Sequence, residues 1–198
     1  MSSLDAHKCV TNVRPYRMGK RAEKLDETRQ RIVEAAVDLH SSLGPARTTV
    51  SQIAERAGVQ RHTYYAHFPD ERELYLACSG LALERDPLPD LELLHLLPAG
   101  PGRVRIGLER LYSWYERNEQ LAACVLRDAE HHELTREMVE LRLTPFFSNC
   151  SRLLGEGMGE RSQSLLGVAL EFRCWRSLSE KMTPATAAEL MSDAIACL

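Results

Sequence analysis

The stretch from residue 48 to residue 70 reads TTVSQIAERAGVQRHTYYAHFPD, and its punctuation decides the fold. Thr49 followed three residues later by Gln52 has the form of a capping box, in which hydroxyl and amide satisfy free N–H groups at a helix start. A short helix is therefore predicted from Val50 to Ala57. Gly58 supplies backbone freedom for a tight turn, Val59 is placed to bury beneath it, and a second short helix opens at Arg61 and runs to about His67. Pro69 and Asp70 break the chain again. Two short helices joined at a glycine, with a third packed across them, is the arrangement that presents one helix to a DNA major groove.

On the N-terminal side, Ile32, Ala36, Leu39 and Leu43 form one apolar stripe at helical spacing, so a helix runs from Leu25 until Gly44-Pro45 ends it. Before it, Arg14, Arg17, Lys20 and Arg21 surround Pro15 without hydrophobic periodicity, which predicts a flexible basic arm over 1–21. The reading unit then covers 22–69 and a larger body 70–198. After Asp70, Leu74, Ala77 and Leu81 carry a helix to about Arg85, and the Pro- and Gly-rich stretch 86–102 is a connector. Further helices are expected near 103–117, 119–131, 134–154, 162–182 and 184–197, the last capped by Thr183 with Pro184 at its first position.

The composition agrees: Leu (29) and Ala (20) far outnumber Val (10) and Ile (4), which favours an all-α chain. With 44% apolar and 27% charged residues among 198, disorder and fibrous repeats are poor candidates. No apolar run reaches the roughly 18 residues of a membrane span, and Asp5, His7 and Lys8 stand where a signal peptide needs an apolar core, so a cytoplasmic protein without membrane contact is expected. The six cysteines lie more than twenty residues apart, which argues for free thiols rather than zinc or disulfide frameworks. The net charge of -3 conceals an asymmetry. Residues 1–68 hold 11 basic and 7 acidic groups, whereas 69–198 hold 14 and 21, so a polyanion would be met by the first third.

The series Ile32, Ala35, Ala36, Leu39, Gly44, Thr48-Thr49-Val50, Ile53-Ala54, Ala57-Gly58-Val59, Thr63, Tyr65, His67-Phe68 and Leu74 resembles the N-terminal DNA-binding domain of the TetR family of bacterial transcriptional regulators. The resemblance covers about residues 25–76; beyond residue 85 it rests on helical organisation and length. From the residues themselves, Gln60 to His67 carries no acid, and Arg61 and His62 in its first turn are placed to read base edges. The resemblance implies that Thr63 also faces the groove, that Tyr65 and His67 reach phosphates, and that Thr49 and Ser51 add contacts, with Tyr64 packed inward. Where the family commonly has a lysine at the start of the fourth helix this chain has Glu71, and the adjacent Arg72 is the candidate substitute.

In the body, Leu108, Leu111, Tyr112, Trp114 and Tyr115 on one predicted helix suit the wall of an apolar ligand cavity. Cys124, Met138, Leu141, Phe146, Asn149 and Phe172 complete the candidate set, against the plainer reading that they fill a core. The segment 162–182 is apolar on all sides and must be covered on all sides, which points to a homodimer through Leu166 and Leu170 together with Leu190, Met191 and Ala194 of the last helix. His131-His132 is a poor metal pair because adjacent side chains diverge by about 100° on a helix. No catalytic motif or cofactor signature stands out, so an enzyme is not expected. The expectation is a dimeric repressor that binds double-stranded operator DNA and is released by a small hydrophobic or aromatic effector. The alternatives are a regulator controlled by a protein partner, and a helical small-molecule-binding or enzymatic bundle with a vestigial DNA domain.

Overall fold

The computed structural model describes residues 16–198, with side chains from Arg21 onward, and among these residues every regular element is helical. Helix α1 (Tyr16–Ser42) begins earlier than the apolar stripe suggests. The run after Pro15 consists mostly of good helix formers, so the predicted arm is helical from residue 16. Residues 1–15, with Arg14, lie outside the described residues. A 3-10 turn (Pro45–Arg47) leads to α2 (Val50–Arg56), α3 (Arg61–His67) and α4 (Glu71–Arg85). Ile32, Ala36, Ile53, Ala54, Tyr64, Phe68, Leu74 and Cys78 make one buried cluster joining these four helices.

A second 3-10 turn (Glu92–Leu96) precedes α5 (Pro101–Arg117) and α6 (Glu119–Ala129). The region expected as one helix over 134–154 is two, α7 (Glu133–Arg142) and α8 (Thr144–Leu154). Pro145 lacks the N–H that a continuous helix needs, and its ring would clash with the preceding turn. The expected 162–182 helix is likewise split into α9 (Glu160–Leu170) and α10 (Phe172–Ser179), with Glu171 extended between them at ψ 137°. Carbonyls near the end of α9 find phenols instead of further turns: Tyr112 donates to the Ala169 oxygen at 2.8 Å and Tyr115 to the Leu170 oxygen at 2.7 Å. Final helix α11 (Pro184–Ala196) lies along α5, and Val104, Leu108, Leu111, Leu166, Ala187 and Ile195 belong to the body's own core. Gly107 permits a close approach of α5 to α8, because a Cβ would stand 2.7 Å from a Leu154 methyl.

Candidate functional site

The reading surface is set by caps. Thr49 and Gln52 form the complete capping box, the Gln52 N–H donating to the Thr49 hydroxyl at 3.3 Å and the Thr49 N–H to the Gln52 amide oxygen at 2.8 Å. The Val59 N–H returns to the Ala54 oxygen at 2.9 Å and the Gly58 N–H to the Glu55 oxygen at 3.1 Å, with Gly58 at φ +66°. This Schellman geometry ends α2 and aims the chain into α3. Tyr64 is 2% exposed and Phe68 is buried beside it, so α3 is anchored from below, whereas Tyr65 is 47% exposed. Arg61 and His62 are exposed, and Thr63 and His67 are half-buried on the same short helix. Thr49 and Ser51 are exposed at the start of α2.

Two α1 arginines fix this geometry, which sequence reasoning missed. Arg29 lies 4.1 Å over the Phe68 ring and donates to the His67 oxygen, and Arg31 donates to the Ala57 oxygen, so the free carbonyls at the ends of α2 and α3 are both satisfied from α1. Their spacing of two residues, on the face beside Ile32, is the only sequence signal for them. Arg72 is turned away from the reading surface: its Nε donates to a Glu137 carboxylate oxygen on α7 at 2.7 Å. It is therefore engaged with the body, leaving Glu71 exposed without a cationic substitute at its side.

Between the reading unit and the body lies a cavity of about 110 Å³, partly open to solvent. Its wall takes His40 from α1, Tyr75, Cys78 and Ala82 from α4, and Leu121 and Val125 from α6, with Val139, Arg142 and Phe147 from α7 and α8. Of the sequence candidates, Trp114, Tyr115 and Met138 are on this wall. Leu108, Leu111, Tyr112 and Phe172 are elsewhere, packed in the body's core, because α5 turns that face toward α9, α10 and α11. The Cys124 thiol points to the Ser41 oxygen at 3.4 Å, and Asn149 accepts from Arg152 at 2.7 Å. Leu141 is exposed, and Phe146 packs on the core beside Phe147 without reaching the cavity. Much of the remaining wall is aliphatic, from α4, α6 and α7. Spacing such as Leu121, Ala122, Val125 and Leu126 was the available signal.

The electrostatics of the chamber are simple. His40 sits between the Tyr75 ring and the Cys78 sulfur, 3.6 Å from its Nδ1; burial lowers its pKa to about 4, so it is neutral at pH 7. Burial likewise pushes the Cys78 thiol up to about 12. His132 stacks on Tyr75 and hydrogen-bonds to Thr135 at 2.8 Å. Behind the chamber, the buried Asp128 of α6 accepts the Ala46 N–H at 2.9 Å, and Arg127 donates to the Leu43 oxygen at 3.1 Å, clasping the turn after α1. No helix of the described residues is long and apolar enough to cross a membrane.

The expected dimer residues divide. Leu166 and Leu170 are buried in the chain's own core, which covers the α9 face that sequence alone left open. Leu190 of α11 is 44% exposed and Val168 of α9 is 49% exposed, while Met191 and Ala194 are half-buried.

Residues 32–78 match the sequence profile described as bacterial regulatory proteins, tetR family. The HTH-type transcriptional regulator SrpR of Pseudomonas putida is 41% identical over 75 residues, which is 36% of this chain and 35% of that protein. The chain thus spans about a third of the length of this relative. A transcriptional regulator from Rhodococcus sp. Rha1 superposes with TM-score 0.60 at 19% identity, covering 84% of this chain and 95% of the other. Transcriptional regulator FadR from Bacillus subtilis, solved in complex with stearoyl-CoA, superposes with TM-score 0.58 at 19% identity over 84% of this chain and 97% of its own. Those two likenesses are of fold, and they extend through the helical body. Residues 32–78 thus carry the helix-turn-helix domain of the tetR family of bacterial regulatory proteins, and the body that follows shares the fold of the solved regulators.

Proposed function

We propose that the chain is a homodimeric repressor that binds double-stranded operator DNA through α3 and is released when a small apolar molecule occupies the chamber. The observation that carries this reading is the double membership of α4. Leu74 and Cys78 of that helix belong to the core of the reading unit, and Tyr75, Ser79, Ala82 and Leu83 line the chamber. A ligand that reorders the chamber moves a rod attached to the recognition helix, and in a dimer such movement changes the spacing of two recognition helices against fixed half-sites. Coupling is reciprocal, so operator DNA weakens effector affinity by the factor that effector weakens DNA affinity. The FadR complex with stearoyl-CoA supports an apolar effector by analogy of fold only. The base-reading assignment rests on Arg61 and His62, exposed in the first turn, with Thr63, Tyr65, His67, Thr49 and Ser51 around them.

Selection of bound duplexes from a random-sequence pool should return an inverted repeat with half-sites about one helical turn apart. Arg61→Ala should lose about 1 to 3 kcal/mol on the selected duplex and relax preference at one base pair. A pool without enrichment, together with binding that is insensitive to salt, would refute the DNA-reading role.

A further inference from the structure

The wall of the chamber is apolar except for a few polar side chains, and nearly all of these are already satisfied internally. Ser79 donates to the Leu76 oxygen at 3.2 Å, Tyr75 to the Pro45 oxygen at 3.3 Å and Tyr115 to the Leu170 oxygen at 2.7 Å. The Asn118 amide donates to Asp86 at 2.7 Å, and Thr135 is joined to His132. Arg142 differs. Its Nη2 donates to the Leu76 oxygen at 3.2 Å, but its buried Nε has no partner, and it makes no ion pair among the described residues. The lining contains no aspartate or glutamate, so this guanidinium is the one formally charged side chain on the wall.

We infer that the chamber selects an amphiphile with an apolar body and an anionic head, a carboxylate being the simplest, and that Arg142 is the residue that selects it. The inference rests on the reading of the chamber as the effector site. A planar guanidinium with unpaired N–H groups matches a carboxylate in charge and shape. A neutral ligand closing the same space leaves the Nε donor desolvated and unpaired, and a cationic one adds repulsion. Because Arg142 also holds the Leu76 oxygen of α4, the head group would act on the contact between α7 and the helix that leaves the reading unit.

Three ten-carbon probes test this on the full chain, with Trp114 on the wall as fluorescent reporter: decanoate, decan-1-ol and decyltrimethylammonium. Decanoate should bind at least about tenfold tighter than the alcohol, as expected for one charge-assisted contact, and the ammonium weakest. Arg142→Gln should abolish the preference for decanoate over the alcohol, while Arg142→Lys, which keeps the charge, should retain part of it. The comparison of ligands on the unaltered protein stands even if a variant fails to fold. Equal binding of acid and alcohol overturns the anionic class and leaves the chamber as an effector site. Binding of none of the three overturns the inference together with the apolar-effector reading beneath it.

Discussion

At the scale of single residues, burial changes the titration of His40, which is 5% exposed. Its imidazole is desolvated between α1 and α4, and although Asp128 favours the charged form, burial dominates and the pKa falls to about 4. In the unfolded chain a histidine titrates near 6.5, so between that pH and about 4 the unfolded state takes up a proton that the folded state refuses. The stability from a neutral His40 is therefore complete above the unfolded value and is lost as pH falls toward 4, by about 3 kcal/mol in all. His40→Gln should show a shallower loss of melting temperature across that window. Parallel acid profiles for the two proteins would mean that His40 gains a proton without unfolding. Tyr64 and Phe68 anchor α3 from beneath, whereas Arg61 and His62 stand exposed, so truncating Tyr64 or Phe68 should cost folding rather than selectivity.

Helices α2, α4, α7 and α11 begin at side-chain caps, from Thr49, Asp70, His132 and Thr183. The α1 to α2 passage depends on Gly44, at φ +96°, where an added Cβ would collide with the Arg127 guanidinium and the Asp128 carboxylate of the α6 clasp. Gly44→Ala should lower stability in chemical denaturation by about 1 to 3 kcal/mol, combining left-handed backbone strain with displacement of the clasp. Gly102→Ala is the contrasting case: it sits in the first turn of α5 with open space at its Cβ, and helix propensity there should add roughly 0.5 to 1 kcal/mol. Equal effects of the two substitutions would remove the clasp from the account.

For the whole molecule, the reading unit and the body are joined by more than the chain. Arg72 pairs with Glu137, Arg142 reaches Leu76, and the α6 clasp grips the turn after α1, so the first four helices are held to the body at three points. The proposed dimer uses Leu190, exposed on α11, with Met191 and Ala194 half-buried on the same helix. Leu190→Glu should convert the dimer to monomer in sedimentation, since a carboxylate buried without a partner opposes association. An unaltered dimer would place the interface on another face.

The all-helical class, the bounds of α2 and α3 and the approach to α4 were legible in the sequence because they depend on local devices: the Thr49–Gln52 box, the Gly58 turn, the Pro69-Asp70 break. Such interactions involve residues a few positions apart, and their energy is available before the chain has a shape. The splitting of 134–154 at Pro145 was also written locally, though periodicity alone passed over it. The break at Glu171 was not, since the phenols that receive the α9 carbonyls come from α5, more than fifty residues away. Only tertiary structure decided that Leu166 and Leu170 are core rather than surface, that Arg72 faces Glu137, and that the chamber is walled by α4, α6 and α7. Which side of an amphipathic helix meets solvent, a cavity or another helix depends on what packs against it, and that is a property of the assembled chain rather than of any one segment.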